Sequence, residues 1–249
     1  MTVIKLVIAY DGTDFHGWAR QPGLRTVQGA VEGVLERVLG TVPPLSVAGR
    51  TDAGVHAEGQ VVSLAADAEP ETIQRALNAA LGPEVVVRSA GRAPDGFDAR
   101  RTATGRAYRY RIDTGSLPDP FTARYVWYRP GALALTKMRA AAALLQGKHD
   151  FASFCRAPAA ASASTVRTLR RLSVRRTGDL TEIGALADGF LHQMVRSLVG
   201  TLARVGEGRI PPEAMGDILA SRSRSEAGPV APPHGLTLVR VMYGPKRGR

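Results

Sequence analysis

Cysteine is almost absent from this sequence of 249 residues, in which Cys155 is the single one. One cysteine excludes an intramolecular disulfide and any cysteine-rich zinc site. Long hydrophobic runs are missing as well, and no segment is apolar over the length that crosses a bilayer. A basic stretch followed by an apolar core, the mark of a secretory leader, is also lacking. These absences predict a globular protein located in the cytoplasm.

Several catalytic signatures are missing too. The sequence contains no G-x-x-x-x-G-K-[ST] and no G-x-G-x-x-G, which excludes the common phosphate-binding and dinucleotide-binding loops. It has no G-x-S-x-G, the turn that carries a nucleophilic serine in hydrolases. His16, His149 and His234 do not have the spacing of metal ligands. We therefore interpret these three histidines as surface or structural residues rather than metal ligands.

Positive charge is abundant and unevenly distributed. The formal net charge is +11, and the basic residues are 29 arginines and only 4 lysines. Residues 1–100 hold 9 basic and 12 acidic side chains, whereas residues 101–249 hold 24 and 10, a net charge of +14. Arginine matches phosphate groups with its planar fork and stacks on bases. An excess of this size predicts a polyanionic partner, most simply a nucleic acid.

Hydrophobic periodicity predicts two α+β halves, residues 1–105 and 106–249. In the first half, strands and helices alternate in the order β-α-β-β-α-β, with helices over 26–40 and 71–82. The second half repeats a similar order, with helices over 135–147 and 190–208. We expect Thr136 to cap the first of these helices and Gly147 to end it. The fold class predicted is α+β, two halves that share an extended, mainly antiparallel mixed sheet with helices on one face and an active-site cleft on the other.

The residues that stand out are in "AGRTDAGVHA", 48–57, a segment between two predicted strands. Loops on a rigid scaffold are frequent sites of chemistry, and Gly49 and Gly54 let a ligand approach the backbone. Asp52 could instead form only an Asx turn. Pairing Asp52 with His56 at a metal is a weaker alternative, because the segment offers only two ligands.

These residues, together with segments along most of the chain, resemble the tRNA pseudouridine synthase A family. The resemblance includes "YDGTDFHGWARQPGLRTVQG", "FDARRTATGRAYRYRI", "GKHDFASFC", "FLHQMVRSLVGTLARVGEG" and "HGLTLVRV", and it runs from near residue 4 to near residue 243. The segment "FDAR" departs from the family pattern, because Asp98 stands where histidine is common. That difference concerns contacts with tRNA.

The resemblance implies a role for four residues. Asp52 matches the catalytic nucleophile, and Arg196 matches the arginine that forms an ion pair with it. Arg50 matches the arginine that helps displace the target base, and Tyr108 matches the tyrosine that binds the substrate by stacking. On a continuous helix over 190–208, Arg196 lies beside the apolar stripe, on the same flank as His192.

The family resemblance also implies an activity and a partner. We expect isomerisation of uridine to pseudouridine at positions 38, 39 and 40 in the anticodon stem-loop of tRNA, by a homodimer that needs no cofactor. The residue types alone leave open whether Asp52 attacks C6 or C1′, or acts as a base at C2′. A non-catalytic RNA-binding module and a metal-dependent hydrolase are the alternatives. Five arginines within 167–176 form either a solvated strand face or a stripe that binds phosphates.

Overall fold

The computed structural model describes residues 2–156 and 164–244. Within it the chain forms two compact units: unit 1 is Met1–Thr104 with Thr237–Arg249, and unit 2 is Gly105–Leu236. In chain order the strands and helices are β1 (Thr2–Tyr10), α1 (Val27–Leu39), β2 (Ser46–Val47), β3 (His56–Ala66), α2 (Pro70–Leu81), β4 (Val85–Arg92), β5 (Gly105–Asp113), β6 (Trp127–Tyr128), α3 (Leu135–Leu144), β7 (Gly147–Asp150), β8 (Val166–Thr177), β9 (Leu180–Ala187), α4 (Met194–Gly206), α5 (Ala214–Ser221) and β10 (Leu236–Met242).

In unit 1, β1 is the central strand and pairs antiparallel with both β3 and β4. Strand β2 adds antiparallel to β3, and β10 adds parallel to it, with Thr237 opposite His56. The sequence-based division placed the last strand with the second half. It belongs with unit 1, because its backbone pairs with β3.

The core of unit 1 follows from the alternation along β1, where Ile4, Leu6 and Ile8 are fully buried. Helix α1 fills the predicted range 26–40, and both of its ends are capped. The hydroxyl of Thr26 accepts a hydrogen bond from the backbone N–H of Gly29, and Gly40 ends the helix with a left-handed backbone, φ 70°. A residue with a Cβ would be strained there, so glycine is the suitable stop.

In unit 2, neighbouring strands pair antiparallel in the order β5, β9, β8 and β7, and the short β6 runs parallel to β5. The hairpin between β8 and β9 turns at Gly178 and Asp179. Tyr110 and Ile112 are fully buried on β5, whereas Arg109 and Arg111 alternate with them. Both units therefore combine helices with mixed, mainly antiparallel strands, which confirms the α+β class.

The predicted ends of α3 are wrong. The helix begins at Leu135 after Ala134, and no side chain caps it, so Thr136 lies inside its first turn. It ends at Leu144, and Gly147 is the first residue of β7, with φ 112°. A run of alanines continues a helical pattern with little contrast between buried and exposed positions, so periodicity did not mark either end.

Helix α4 is shorter than predicted. It begins at Met194, because Gln193 has a left-handed backbone with φ 59° that no helix can include. His192 lies before this break and is exposed, so it does not share a helical flank with Arg196. Among the described residues, no helix has the length and apolar character needed to cross a membrane.

Candidate active site

Asp52 lies in a loop, residues 48–55, that joins β2 to β3 in unit 1. Buried and accessible side chains alternate along the loop. Thr51 and Val55 are buried, Asp52 is half-buried and Arg50 is exposed. A backbone hydrogen bond from Val55 N to the Asp52 carbonyl closes the turn. These buried residues hold the backbone on both sides of Asp52, so the Cα of Asp52 has a fixed position.

The anchor of Thr51 is a buried polar group at the end of β1. The hydroxyl of Tyr10 lies 2.8 Å from Thr51 Oγ1, and the side-chain amide of Gln60 donates to the Gly49 carbonyl at 2.7 Å. Burial raises the pKa of Tyr10 to about 12, although its hydrogen bonds with Thr51 and Gln60 act to lower it. Tyr10 therefore stays neutral at physiological pH and serves as a hydrogen-bonding strut.

A second loop, residues 11–18, packs directly against the first. The backbone N–H of Trp18 donates to the Thr51 carbonyl at 3.1 Å, and Gly54 N donates to the Phe15 carbonyl at 3.2 Å. At Gly12 an added Cβ would lie 2.1 Å from the Val55 carbonyl oxygen. At Gly17, where φ is 91°, it would lie 2.8 Å from the Thr51 carbonyl. The backbones approach so closely that only glycine fits at these positions.

His56 takes part in the same bracing. Its ring is buried, and Nδ1 accepts the backbone N–H of Gly12 at 3.0 Å while lying 3.1 Å from Asp11 Oδ1. Among the residues that the structure describes, no three His, Cys, Asp or Glu side chains cluster so as to hold a metal ion.

Arg50 is the exposed cation of the loop. Its guanidinium makes no hydrogen bond or ion pair with any described residue. Arginine retains its charge at any physiological pH and binds phosphate or a base edge through its planar fork. The side chain is thus presented for a ligand, two residues from a half-buried carboxylate.

Tyr108 lies in the middle of β5 in unit 2, opposite Ala185 of β9. Its ring is half-buried and packs edge-to-face against Phe190, with centroids 5.1 Å apart and planes at 87°. This geometry favours the attraction between the edge of one ring and the face of the other. Phe190 fixes the orientation of the Tyr108 ring, which the sequence pattern did not reveal.

Arg196 lies in the first turn of α4, held by the segment before β10. Its Nε donates to the Ala231 carbonyl at 2.7 Å, and Ala231 N donates to the Arg196 carbonyl at 3.1 Å. The segment lies flat on the helix because Gly200 has no side chain: a Cβ there would be 1.7 Å from the Pro229 carbonyl oxygen. The Nε–H of Arg196 is therefore used in a structural hydrogen bond, and this bond fixes the direction of the guanidinium group.

The same segment surrounds Tyr110, two residues after Tyr108 on β5. The Tyr110 hydroxyl donates to the Pro232 carbonyl at 2.8 Å. Burial raises the pKa of Tyr110, against an opposing effect from the charge of Arg196. Ala231 is buried and is hydrogen-bonded to Arg196 of α4, so this segment before β10 is held in place as a strap across the helix.

Asp98, which stands in place of the usual histidine, has a local structural role. Its carboxylate accepts the backbone N–H groups of Arg100 and Arg101 at 2.9 and 2.7 Å. Burial acts to raise the pKa of Asp98, but the hydrogen bonds from Arg101, Ser46 and Arg100 outweigh it and lower the pKa. Asp98 stabilises the turn after β4 in its ionised form.

Two of the four predicted site residues, Arg50 and Asp52, share one loop of unit 1, while Tyr108 and Arg196 belong to unit 2. The sequence did not reveal their supports: Tyr10, Gly12, Phe190 and the Ala231 carbonyl. These contacts join residues that are far apart in the chain. The short segments that contain the glycines, "YDG" (10–12) and "HGW" (16–18), show no hydrophobic periodicity that would predict such contacts. The glycines at 12 and 17 were the available hint, because glycine in a loop often marks a close approach.

An α+β fold with a braced acidic loop and an arginine-rich second half is matched by a family model described as tRNA pseudouridine synthase, over residues 6–100 and 141–244. The chain therefore belongs to the tRNA pseudouridine synthase family, as the resemblance predicted.

Relatives of the chain carry the same name. It is 47% identical over 242 residues to the tRNA pseudouridine synthase A of Methylobacterium nodulans, covering 96% of this chain and 95% of that one. It is 49% identical over 250 residues to that of Frankia casuarinae, covering 97% and 89%. Among solved structures, the archaeal box H/ACA sRNP Nop10-Cbf5 complex shares 13% identity at a TM-score of 0.34, over 90% of this chain and 60% of that one.

Proposed function

We propose that the protein isomerises uridine to pseudouridine at positions 38, 39 and 40 in the anticodon stem-loop of tRNA. The observation that carries the proposal is the loop around Asp52, whose backbone is held by Thr51, Tyr10 and Gly12 in a chain of this family. A catalytic carboxylate needs such a frame, because a displacement of about 1 Å costs about a hundredfold in rate.

The reaction exchanges one bond for another on the same base. The bond between N1 of uracil and C1′ of ribose breaks, the base turns, and a bond forms between C5 and C1′. The hydrogen that C5 carried leaves as a proton, and N1 finishes protonated. Atoms and electrons balance within the nucleotide, so the chemistry calls for no redox partner and no activated co-substrate.

Asp52 is the proposed nucleophile in this exchange. Its carboxylate captures or stabilises the intermediate while the base is detached, by attack at C6 or C1′ or as a base at C2′. Arg196 is the proposed ion-pair partner, because a neighbouring guanidinium favours the ionised carboxylate and offsets its desolvation. The hydrogen bond from Arg196 Nε to the Ala231 carbonyl supports this role, since it fixes the direction in which the guanidinium points.

Two further residues handle the uridine itself. Tyr108 is proposed to stack on the extruded base, a contact worth about 1–3 kcal/mol against an unstacking cost of a few kcal/mol. Arg50 is proposed to help displace the base from its helix, and its exposure supports that role. In this assignment the amino-terminal half supplies Arg50 and Asp52, and the carboxy-terminal half supplies Tyr108 and Arg196.

The family resemblance also supports a homodimer that acts in the cytoplasm. Adjacent targets at three positions call for recognition of tRNA by shape and backbone, which an arginine-rich surface provides. In this proposal the protein uses neither a metal nor a cofactor.

Release of tritium from C5-labelled uridine in an unmodified tRNA transcript tests the proposal. We expect the wild type to release it and Asp52→Asn to release none, while both bind the transcript equally. The substitution Asp67→Asn changes an exposed carboxylate after β3 and serves as the control that keeps activity. Equal release by the wild type and Asp52→Asn would exclude Asp52 as the nucleophile.

Two measurements separate the alternatives. Loss of hydrolytic activity with a chelator would favour the metal-dependent hydrolase built on Asp52 and His56. Binding of tRNA without any tritium release by the wild type would favour the RNA-binding module.

A further inference from the structure

The arginine-rich segment 167–176 has no part in the proposed uridine chemistry. The structure places its arginines on different faces of β8. Leu172 and Val174 of β8 are buried and alternate with Ser173 and Arg175. A β-bulge between Leu169 and Arg171 shifts the register, so that Arg171 follows the outward alternation of Ser173 and Arg175. Bulges re-aim side chains in this way.

Cross-strand pairing brings these residues together with the arginines of β5. Glu182 of β9 pairs with Arg111 on one side and Arg175 on the other. Gly184 likewise pairs with Arg109 and with Ser173. Directly paired residues share a face of a sheet. We call the resulting surface the arginine face, and its members are Arg109, Arg111, Arg171, Ser173, Arg175, Glu182 and Gly184.

The opposite side of the same strands forms the core of unit 2. Tyr110, Ile112, Ile183, Ala185 and Leu172 are all buried there. On the arginine face every member is half-buried or exposed, and Arg171 and Arg175 are the exposed ones. The face is therefore the accessible side of the unit 2 strands.

Charge on the arginine face is unbalanced. Four arginines and one glutamate leave a net charge of +3. The Nε atoms of Arg109 and Arg111 each lie 3.6 Å from Glu182 Oε2, so one carboxylate serves two guanidinium groups. Arg171 and Arg175 make no ion pair or hydrogen bond with another described residue. Arg171 and Arg175 thus add positive charge that no described side chain neutralises, which favours a polyanion as the occupant of this face.

The centre of the arginine face carries a hydroxyl group. Gly184 has no side chain, and Ser173 Oγ lies over it, 2.9 Å from where a Cβ would be. The face therefore offers the Ser173 hydroxyl together with the guanidinium groups. Arginine forks and hydroxyls are the usual partners of phosphate oxygens.

We propose that the arginine face binds the phosphodiester backbone of the substrate RNA outside the uridine that reacts. This inference rests on the proposed function for the identity of the RNA. A continuous row of phosphates can contact guanidinium groups on both β5 and β8, which lie on either side of β9, whereas a single small anion cannot span them. The face positions the RNA and takes no part in the chemical step.

The double variant Arg171→Gln with Arg175→Gln tests the proposal, with Arg37→Gln and Arg75→Gln on helices α1 and α2 as the matched control. Binding of an unmodified tRNA transcript is measured by fluorescence anisotropy between 50 and 300 mM salt. Each lost phosphate contact lowers the slope of log Kd against log salt by about 1. We expect the slope to fall by about 2, with weaker binding, in the double variant only.

The variant Glu182→Gln should change the affinity for tRNA in the opposite direction. Removing the single carboxylate raises the net charge of the arginine face, so tRNA should bind more tightly than to the wild type at low salt. Damage to the fold would weaken binding, which makes this result specific. Equal affinity and slope in the wild type, the double variant and Glu182→Gln would overturn the proposal.

The proposed function and this inference fail in different ways. If the wild type releases no tritium from any tRNA, the proposed function fails whatever the salt slopes are. If the wild type is active and the double variant keeps its affinity and slope, the arginine face does not bind RNA. A change in sedimentation mass with unchanged tRNA binding would instead identify the face as an interface between copies and overturn the proposal.

Discussion

The hydroxyl of Tyr10 and the hydroxyl of Thr51 lie 2.8 Å apart, both buried, and this pair ties the end of β1 to the residue before Asp52. The contact spans 41 positions of sequence. It makes the position of the candidate nucleophile depend on the core of unit 1. Gln60 reaches the same place from β3 and holds the Gly49 carbonyl.

Replacement of Tyr10 by Phe should change both the stability and its pH dependence. The loss of the hydrogen bond leaves Thr51 under-satisfied and lowers the free energy of unfolding by about 1 kcal/mol or more at pH 7. An unfolded tyrosine ionises near its ordinary pKa of 10.0, whereas burial raises the pKa of folded Tyr10 to about 12. The wild type therefore loses stability as the pH rises from 10 to 12, by up to about 1.4 kcal/mol per pH unit for each such tyrosine.

In urea unfolding between pH 9 and 11.5, Tyr10→Phe should flatten that decline. Some decline remains, because burial raises the pKa of Tyr110 in the same direction. A slope identical to that of the wild type would contradict the burial of Tyr10 as a neutral group.

Replacement of Gly12 by Ala should destabilise the protein severely. The new Cβ would lie 2.1 Å from the Val55 carbonyl oxygen, so the two loops must separate. We expect a loss of about 3 kcal/mol or more in the free energy of unfolding, together with loss of tritium release. Gly33→Ala on α1 is the control: nothing lies within 4 Å of its Cβ, and the helix should gain about 0.5–1 kcal/mol. Equal stability of the two variants would refute the close contact.

The hydroxyl and the ring of Tyr108 can be tested separately. Tyr108→Phe keeps the edge-to-face contact with Phe190 and the stacking surface. Tyr108→Ala removes both, and kcat/KM should fall by the equivalent of about 1–3 kcal/mol. Single-turnover tritium release distinguishes the roles. If Tyr108→Phe turns over as the wild type does, a role of the hydroxyl in proton transfer at C5 is excluded and stacking is retained.

Replacement of Arg196 by Lys should slow catalysis while the positive charge is kept. Lysine has no Nε–H to donate to Ala231 and no second edge for a carboxylate. A hydrogen bond to a charged group is worth about 1.5–3 kcal/mol, so kcat should fall about ten- to hundredfold. Arg204→Lys, in the last turn of the same helix, should leave kcat unchanged. Similar losses in both variants would show that the effect is structural.

The sequence predicted elements well where local chemistry marks both ends. Helix α1 has a hydroxyl at its start and a left-handed glycine at its end, and its bounds agree with the predicted range 26–40 to within one residue at each end. Helix α4 has a strong apolar pattern, but the pattern continues through Gln193, where the backbone turns left-handed. Periodicity reports which side chains face the core and carries no information about one reversed φ angle.

The candidate site shows the same division. Its four residues came from one loop and from the family resemblance, and the structure adds their placement in unit 1 and unit 2 and the contacts that hold them. The supports could not be predicted, because Tyr10 and Thr51, or Arg196 and Ala231, meet only through the tertiary fold. A hydrogen bond between residues far apart leaves no local trace in composition or spacing.

The pairing of β10 with β3, which are far apart in the sequence, has a consequence for folding during synthesis on the ribosome. Thr237 and Leu238 pair with His56 and Ala57, the first residues after the Asp52 loop, and Gly59 leaves room for the backbone of Val239. Translation delivers residues 105–236 before this strand, so unit 2 can acquire its core during elongation. Unit 1 must wait, with the carboxylate loop incompletely supported, until Thr237 and Leu238 have been synthesised.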